Sequence, residues 1–230
     1  TPTMSNIVRS SYVGSSRYDQ TYFVELDDNE NVYLAGQTTG SMPVQSASNP
    51  GGAPTIYSNA GAKQFILKLA PELSDLIYAT TVGATGKSTP DIVPTAFLVD
   101  QCENVYLSGW GGETNSGPTE PGGNTFGLPV TSDAFQSGTD GSDFYLMVLS
   151  RDAEFLTYGS YFGGSNSGDN GEHVDGGTSR FDASGQIYQA VCAGCGGEST
   201  FPSTPSAFSR TNNSTLYINC IQSTISNSNY

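Results

Sequence analysis

Basic residues are scarce in this chain. Eight Lys and Arg stand against 22 Asp and Glu in 230 residues, for a formal net charge of −14. That balance excludes a nucleic-acid partner, because phosphate backbones are met by basic surfaces. It also disfavours adsorption to anionic lipid. Charge of either sign is thin, at 13% of residues, where average proteins carry about 25%. No apolar stretch is long enough to span a bilayer, so no membrane insertion is expected. No segment of helical length has a 3.6-residue apolar period. The single histidine, with no Gly-x-Ser-x-Gly elbow and no zinc-protease motif, makes a hydrolase the weakest reading. The first six residues lack a basic and apolar export signal, which is therefore expected to be removed or to lie upstream.

What is present is a phrase written three times. Asn31-Val-Tyr-Leu-Ala-Gly36 recurs as Asn104-Val-Tyr-Leu-Ser-Gly109 and, more loosely, as Gly185-Gln-Ile-Tyr-Gln-Ala190. Each follows an apolar run and an Asp-led turn: Asp27 to Glu30, Asp100 to Glu103 and Asp182 to Gly185. The tyrosines Tyr33, Tyr106 and Tyr188 set repeats of 73 and then 82 residues. A recurring period signals stacked supersecondary units. Val, Ile, Tyr, Phe and Thr crowd the apolar runs, as pleated strands require. Asp and Asn suit the turns because their side chains bond nearby backbone and tolerate left-handed conformations.

The first repeat predicts strands at 21–26, 31–36, 64–69 and 75–82. The second predicts 94–99, 104–109, 143–149 and 154–162, and the third 178–182, 186–191 and 216–222. Four antiparallel strands per repeat describe β-propeller blades, so the fold class is all-β with about three blades. The whole chain, 1–230, reads as one propeller-like region, with repeats at approximately 14–82, 83–162 and 163–230. Residues 7–13 align with the fourth strands and are expected to complete the last blade. Three blades fall below the usual range of about four to eight. The region is therefore expected to be part of a larger propeller, to be completed by other copies, or to form an open stack. Long connections at 37–63, 110–142 and 192–215 mark either a binding face or covers for the blade surfaces.

Several phrases resemble the propeller-repeat region of giant Bacteroidota surface proteins of the gliding motility-associated, type IX secretion class. They are Arg9-Ser-Ser-Tyr-Val-Gly14, Tyr18-Asp-Gln-Thr-Tyr-Phe23, Val105-Tyr-Leu-Ser-Gly-Trp-Gly-Gly112, His173-Val-Asp-Gly-Gly-Thr-Ser-Arg-Phe-Asp182 and Cys192-Ala-Gly-Cys-Gly-Gly197. Together they span nearly the whole chain. The resemblance implies a seven-bladed-propeller type of repeat within a longer parent chain, and surface attachment, adhesion or assembly rather than catalysis. The ending departs from it: after Cys220 the resemblance implies an apolar strand ending Phe-Lys-Phe, and here a polar run follows.

Four cysteines, Cys102, Cys192, Cys195 and Cys220, allow three complete pairings. Disulfides are the default in an exported protein, and a link from Cys192 or Cys195 to Cys220 is preferred because the intervening loop returns a neighbouring strand. A four-cysteine zinc site would lack its second Cys-x-x-Cys. His173, flanked by Glu172 and Asp175, is either a general base or ligand, or a loop histidine bonded to adjacent groups. Asp19, Asp91 and Asp175 precede the first strands of their blades. They would point toward one axial mouth and bind calcium or a glycan, or else cap the strand starts. Trp110 heads a long loop, where it either stacks on a sugar or a partner, or plugs the gap between blades. No cofactor other than calcium is suggested. The expectation is a non-enzymatic, extracellular or cell-surface structural and adhesive module. Its partners would be other domains of the parent chain, other copies, or surface glycans.

Overall fold

The computed structural model describes residues 7–47, 55–111, 123–165, 171–174, 179–192, 200–211 and 223–228. The fold is all-β. Two four-stranded antiparallel sheets and one three-stranded sheet follow each other along the chain. The first comprises β1 (Asp19–Leu26), β2 (Val32–Thr38), β3 (Gln64–Leu69) and β4 (Leu76–Val82), paired in chain order. The second repeats that order with β5 (Val93–Val99), β6 (Val105–Trp110), β7 (Phe144–Leu149) and β8 (Leu156–Phe162). In the third, β10 (Ile187–Cys192) lies between β9 (Ser179–Phe181) and β11 (Ser223–Ser228).

The Asp-led turns explain the repeated phrase. In the first, Glu30 N–H donates to the Asp27 carbonyl at 2.9 Å. Asp27 Oδ1 accepts the backbone N–H groups of Asn29 and Asn31, both at 2.9 Å. Asp100 does the same for Cys102 and Asn104, and Asp182 for Ser184 and Gln186. The hydroxyls of Tyr33, Tyr106 and Tyr188 then close on these carboxylates at 3.4, 3.1 and 3.4 Å. The fourth turn residue needs positive φ, and Glu30 (62°), Glu103 (64°) and Gly185 (82°) supply it. A side chain at φ near +60° costs about 1–2 kcal/mol, which only the glycine avoids.

Irregularities repeat with the turns. β1 and β5 each shift register against their partners, between Thr21 and Phe23 and between Pro94 and Ala96. Beside these shifts lie Gly36 and Gly109, where a Cβ would meet the Gln20 carbonyl oxygen at 2.2 Å and that of Val93 at 2.6 Å. The glycine of the phrase is therefore a close-approach glycine.

The sheets pack face to face. One core unites Tyr33, Ala35, Ile66 and Tyr78 of the first sheet with Phe97, Leu107, Tyr145 and Met147 of the second. Another joins Ala96, Phe144 and Leu146 of the second sheet to Ile187 and Val191 of the third. β1 contacts β5, and β5 contacts β9.

One expectation needs correction. Residues 7–13 form no strand, and among the described residues they do not complete the third sheet. Val13 instead packs on the outer cluster of the first sheet with Met42, Phe65 and Leu67, and Arg9 forms an ion pair with Glu72 of the β3–β4 turn. The last described strand is Ser223–Ser228, whereas the expected 216–222 lies outside the described residues. The long connections also cover the outermost strands. Gln45 bridges Ala79 of β4 through two 2.8 Å bonds, and Thr131 N–H donates to Gly159 of β8 at 3.0 Å. Covering a sheet edge in this way blocks pairing with foreign strands.

Candidate functional site

The carboxylates that lead into the first strands share one geometric task. Asp19 Oδ2 accepts the N–H of Ser15, the residue after Gly14, at 2.5 Å. Asp91 Oδ2 accepts the N–H of Ala84, the residue after Gly83, at 3.0 Å. In the third repeat Glu172 Oε1 accepts the N–H of Gly164, the residue after Gly163, at 2.7 Å. Asp175 lies outside the described residues. Glu172, which the sequence reading did not single out, thus holds the third carboxylate position.

Their environments differ. Burial pushes the half-buried Asp19 carboxyl up, but hydrogen bonds from Thr38 and Ser15 outweigh it and hold its pKa below the ordinary value. Asp91 is fully buried, and burial raises its pKa to about 6 despite the Ala84 bond and Lys87, whose Nζ stands 3.7 Å away. Glu172 is 1% exposed, and burial raises it to about 8. Its Oε2 and the Oδ1 of buried Asp143 both lie within 3 Å of where a Gly163 Cβ would sit, and neither oxygen has a hydrogen-bond partner among the described residues. Burial, and then the nearby Asp140, raise Asp143 to about 6. A carboxyl held neutral is the response of a buried acid without a cation.

Trp110 and His173 come together. Their ring centroids are 5.9 Å apart at the joint between the second and third sheets. Trp110 is 6% exposed, so its ring faces protein rather than solvent and fills the gap between sheets. His173 pairs with Cys192 through backbone bonds of 3.1 and 2.8 Å, and its Nδ1 is 3.0 Å from the Gly171 carbonyl. Cys192 is buried at the end of β10, and the preferred disulfide partners Cys195 and Cys220 lie outside the described residues. Cys102 is exposed in its hairpin turn.

The joint between the first two sheets is charged. Buried Lys68 on β3 places Nζ 2.5 Å from Glu103, 3.3 Å from Asp27 and 3.7 Å from Asp152, and 5.0 Å from the Tyr33 ring centroid. Arg151 adds a second cation 3.2 Å from Glu103. The sequence reading missed Lys68, and the signal that could have found it is an isolated Lys between apolar neighbours on a buried strand, which needs carboxylates opposite it.

Chemically, these groups hold sheets together. Among the described residues no three His, Cys, Asp or Glu side chains converge to hold one metal ion. Asp19 bonds Thr38 within its own sheet and Asp91 ties the start of the second sheet to the end of the first, while Trp110, His173, Asp143 and Glu172 gather at the second joint. Comparison with protein-family models gives no match, and no curated protein matches the chain.

Proposed function

We propose that this chain is a segment of a β-propeller whose sheets are successive blades, acting as a non-enzymatic structural and adhesive module at the cell surface. The observation behind this reading is the repeated joint. The first and second sheets each present their Tyr-bearing face to the sheet that follows, with the first strands β1, β5 and β9 side by side. First strands in successive contact suit blades arranged about an axis.

The chemistry-bearing residues favour scaffold over catalysis. Asp19 and Asp91 are occupied as backbone acceptors, and Trp110 and His173 are buried against each other. The acidic, lysine-poor composition and the surface-protein resemblance support export. Among the described residues, no helix is long and apolar enough to cross a membrane.

Calcium calorimetry combined with a glycan array tests the functional half of this proposal. The expected result is no saturable calcium heat and no glycan signal that Trp110→Ala removes. A stoichiometric calcium site, or Trp110-dependent glycan binding, would contradict it. So would turnover of ester or glycoside substrates that His173→Ala abolishes.

A further inference from the structure

The two internal joints are built alike. At the first, Tyr33 of the leading sheet reaches Glu103, the fourth turn residue of the following sheet, at 3.3 Å. At the second, Tyr106 meets Gly185, the fourth turn residue of the third sheet, where a Cβ would lie 2.7 Å from the ring. Tyr106 also packs on Phe181 at 5.6 Å between centroids. In each case a tyrosine from the leading sheet seats against the turn and first strand of the sheet that follows.

The outer face of the first sheet has the form of a following sheet: Val13 and Met42 cover its Phe65 and Leu67 end, and its Val24 and Leu26 end is exposed. By strand register, Val24, Leu26, Leu34 and Leu67 occupy the positions of Phe97, Val99, Leu107 and Met147. Phe97 is 7% exposed beneath the first sheet, whereas Val24 is 62% and Leu26 59% exposed. Leu26 holds the position of Phe181, and exposed Glu30 that of Glu103 and Gly185.

The far face of the third sheet has the form of a leading sheet. Tyr188 and Ala190 stand where the first sheet places Tyr33 and Ala35. Tyr33 is fully buried and Tyr188 is 37% exposed. Exposed Arg180 lies opposite Tyr188 on the same face and offers a cation toward the Glu30 position.

Resting on the propeller reading, we infer that a second copy of this chain docks head to tail. Tyr188 and Arg180 of one copy seat against Leu26, Val24 and Glu30 of the next. The argument is continuity with the two internal joints together with charge complementarity between Arg180 and Glu30. Such a contact is heterologous, so it propagates from copy to copy until it closes into a ring or runs on as an open row.

Sedimentation velocity of the 230-residue chain tests this, with Leu26→Asp blocking one end and Tyr188→Asp the other. Wild type is expected to associate with rising concentration, and each variant alone to stay monomeric. An equimolar mixture of the two variants should give dimers and nothing larger, because one intact pair of ends remains. Glu30→Lys and Arg180→Glu, both on exposed side chains, repeat the comparison should either apolar variant misfold: each should weaken association about tenfold, and combining them should restore it. A wild-type monomer up to about 100 μM, the range of weak specific contacts, would overturn the inference. So would association that survives both end-blocking variants. Loss of coupling between Phe23 and Phe97 would instead overturn the propeller reading, so the two failures are distinguishable.

Discussion

At the scale of single residues, the repeated phrase is a turn-building device. Asp100 accepts two backbone N–H groups, the Asn104 amide and the Tyr106 hydroxyl. Asp100→Ala strands those donors and is expected to destabilise the protein by about 1–3 kcal/mol, measured by urea unfolding. Asp100→Asn keeps one acceptor oxygen and should cost less. The fourth turn position makes the opposite prediction. Glu30 adopts φ of 62° on an exposed turn, where Gly185 serves the same role in the third repeat. Glu30→Gly relieves the left-handed cost of about 1–2 kcal/mol but adds unfolded-chain entropy of about 0.5–1 kcal/mol. A gain of about 0.5–1 kcal/mol is expected, and a loss in the same assay would show that the turn is held by side-chain contacts instead.

At the scale of elements, strands and turns were legible because alternation and Asp-led turns are local signals. β2, β3, β6 and β7 fall within a residue or two of their expected bounds. Partner choice was not legible. Residues 7–13 have the apolar content of a fourth strand, yet Val13 settles on the first sheet, since propensity does not encode the packing partner. Glu172 escaped because the carboxylate follows its glycine by five, eight and nine residues in the three repeats, which defeats a fixed-spacing search. Lys68 is the element-scale test. Lys68→Met leaves Glu103 and Asp27 without their buried cation and is expected to cost about 3–5 kcal/mol. Pairing it with Glu103→Gln should recover part of that loss. Full additivity in chemical denaturation would contradict a shared network.

At the scale of the whole molecule, buried carboxyls set the pH response. Glu172 titrates near 4.5 when unfolded and about 8 when folded, while Asp91 and Asp143 rise to about 6. A raised folded pKa means the folded state holds the extra proton, so this contribution is complete below the unfolded value and is lost as pH rises through the folded one. The melting temperature is therefore expected to fall between pH 5 and pH 8, and Glu172→Gln to flatten that fall. Unchanged steepness in the variant would assign the slope to other groups. The molecule as a whole is a succession of sheets whose joints carry its repeated residues, and that claim rests on the face-to-face contact of β1 and β5. Phe23 and Phe97 stack across it with centroids 6.1 Å apart. The most direct test is a double-mutant cycle of Phe23→Ala and Phe97→Ala by equilibrium unfolding. Packed sheets predict a coupling of about 0.5–1.5 kcal/mol, and coupling indistinguishable from zero would contradict the joint.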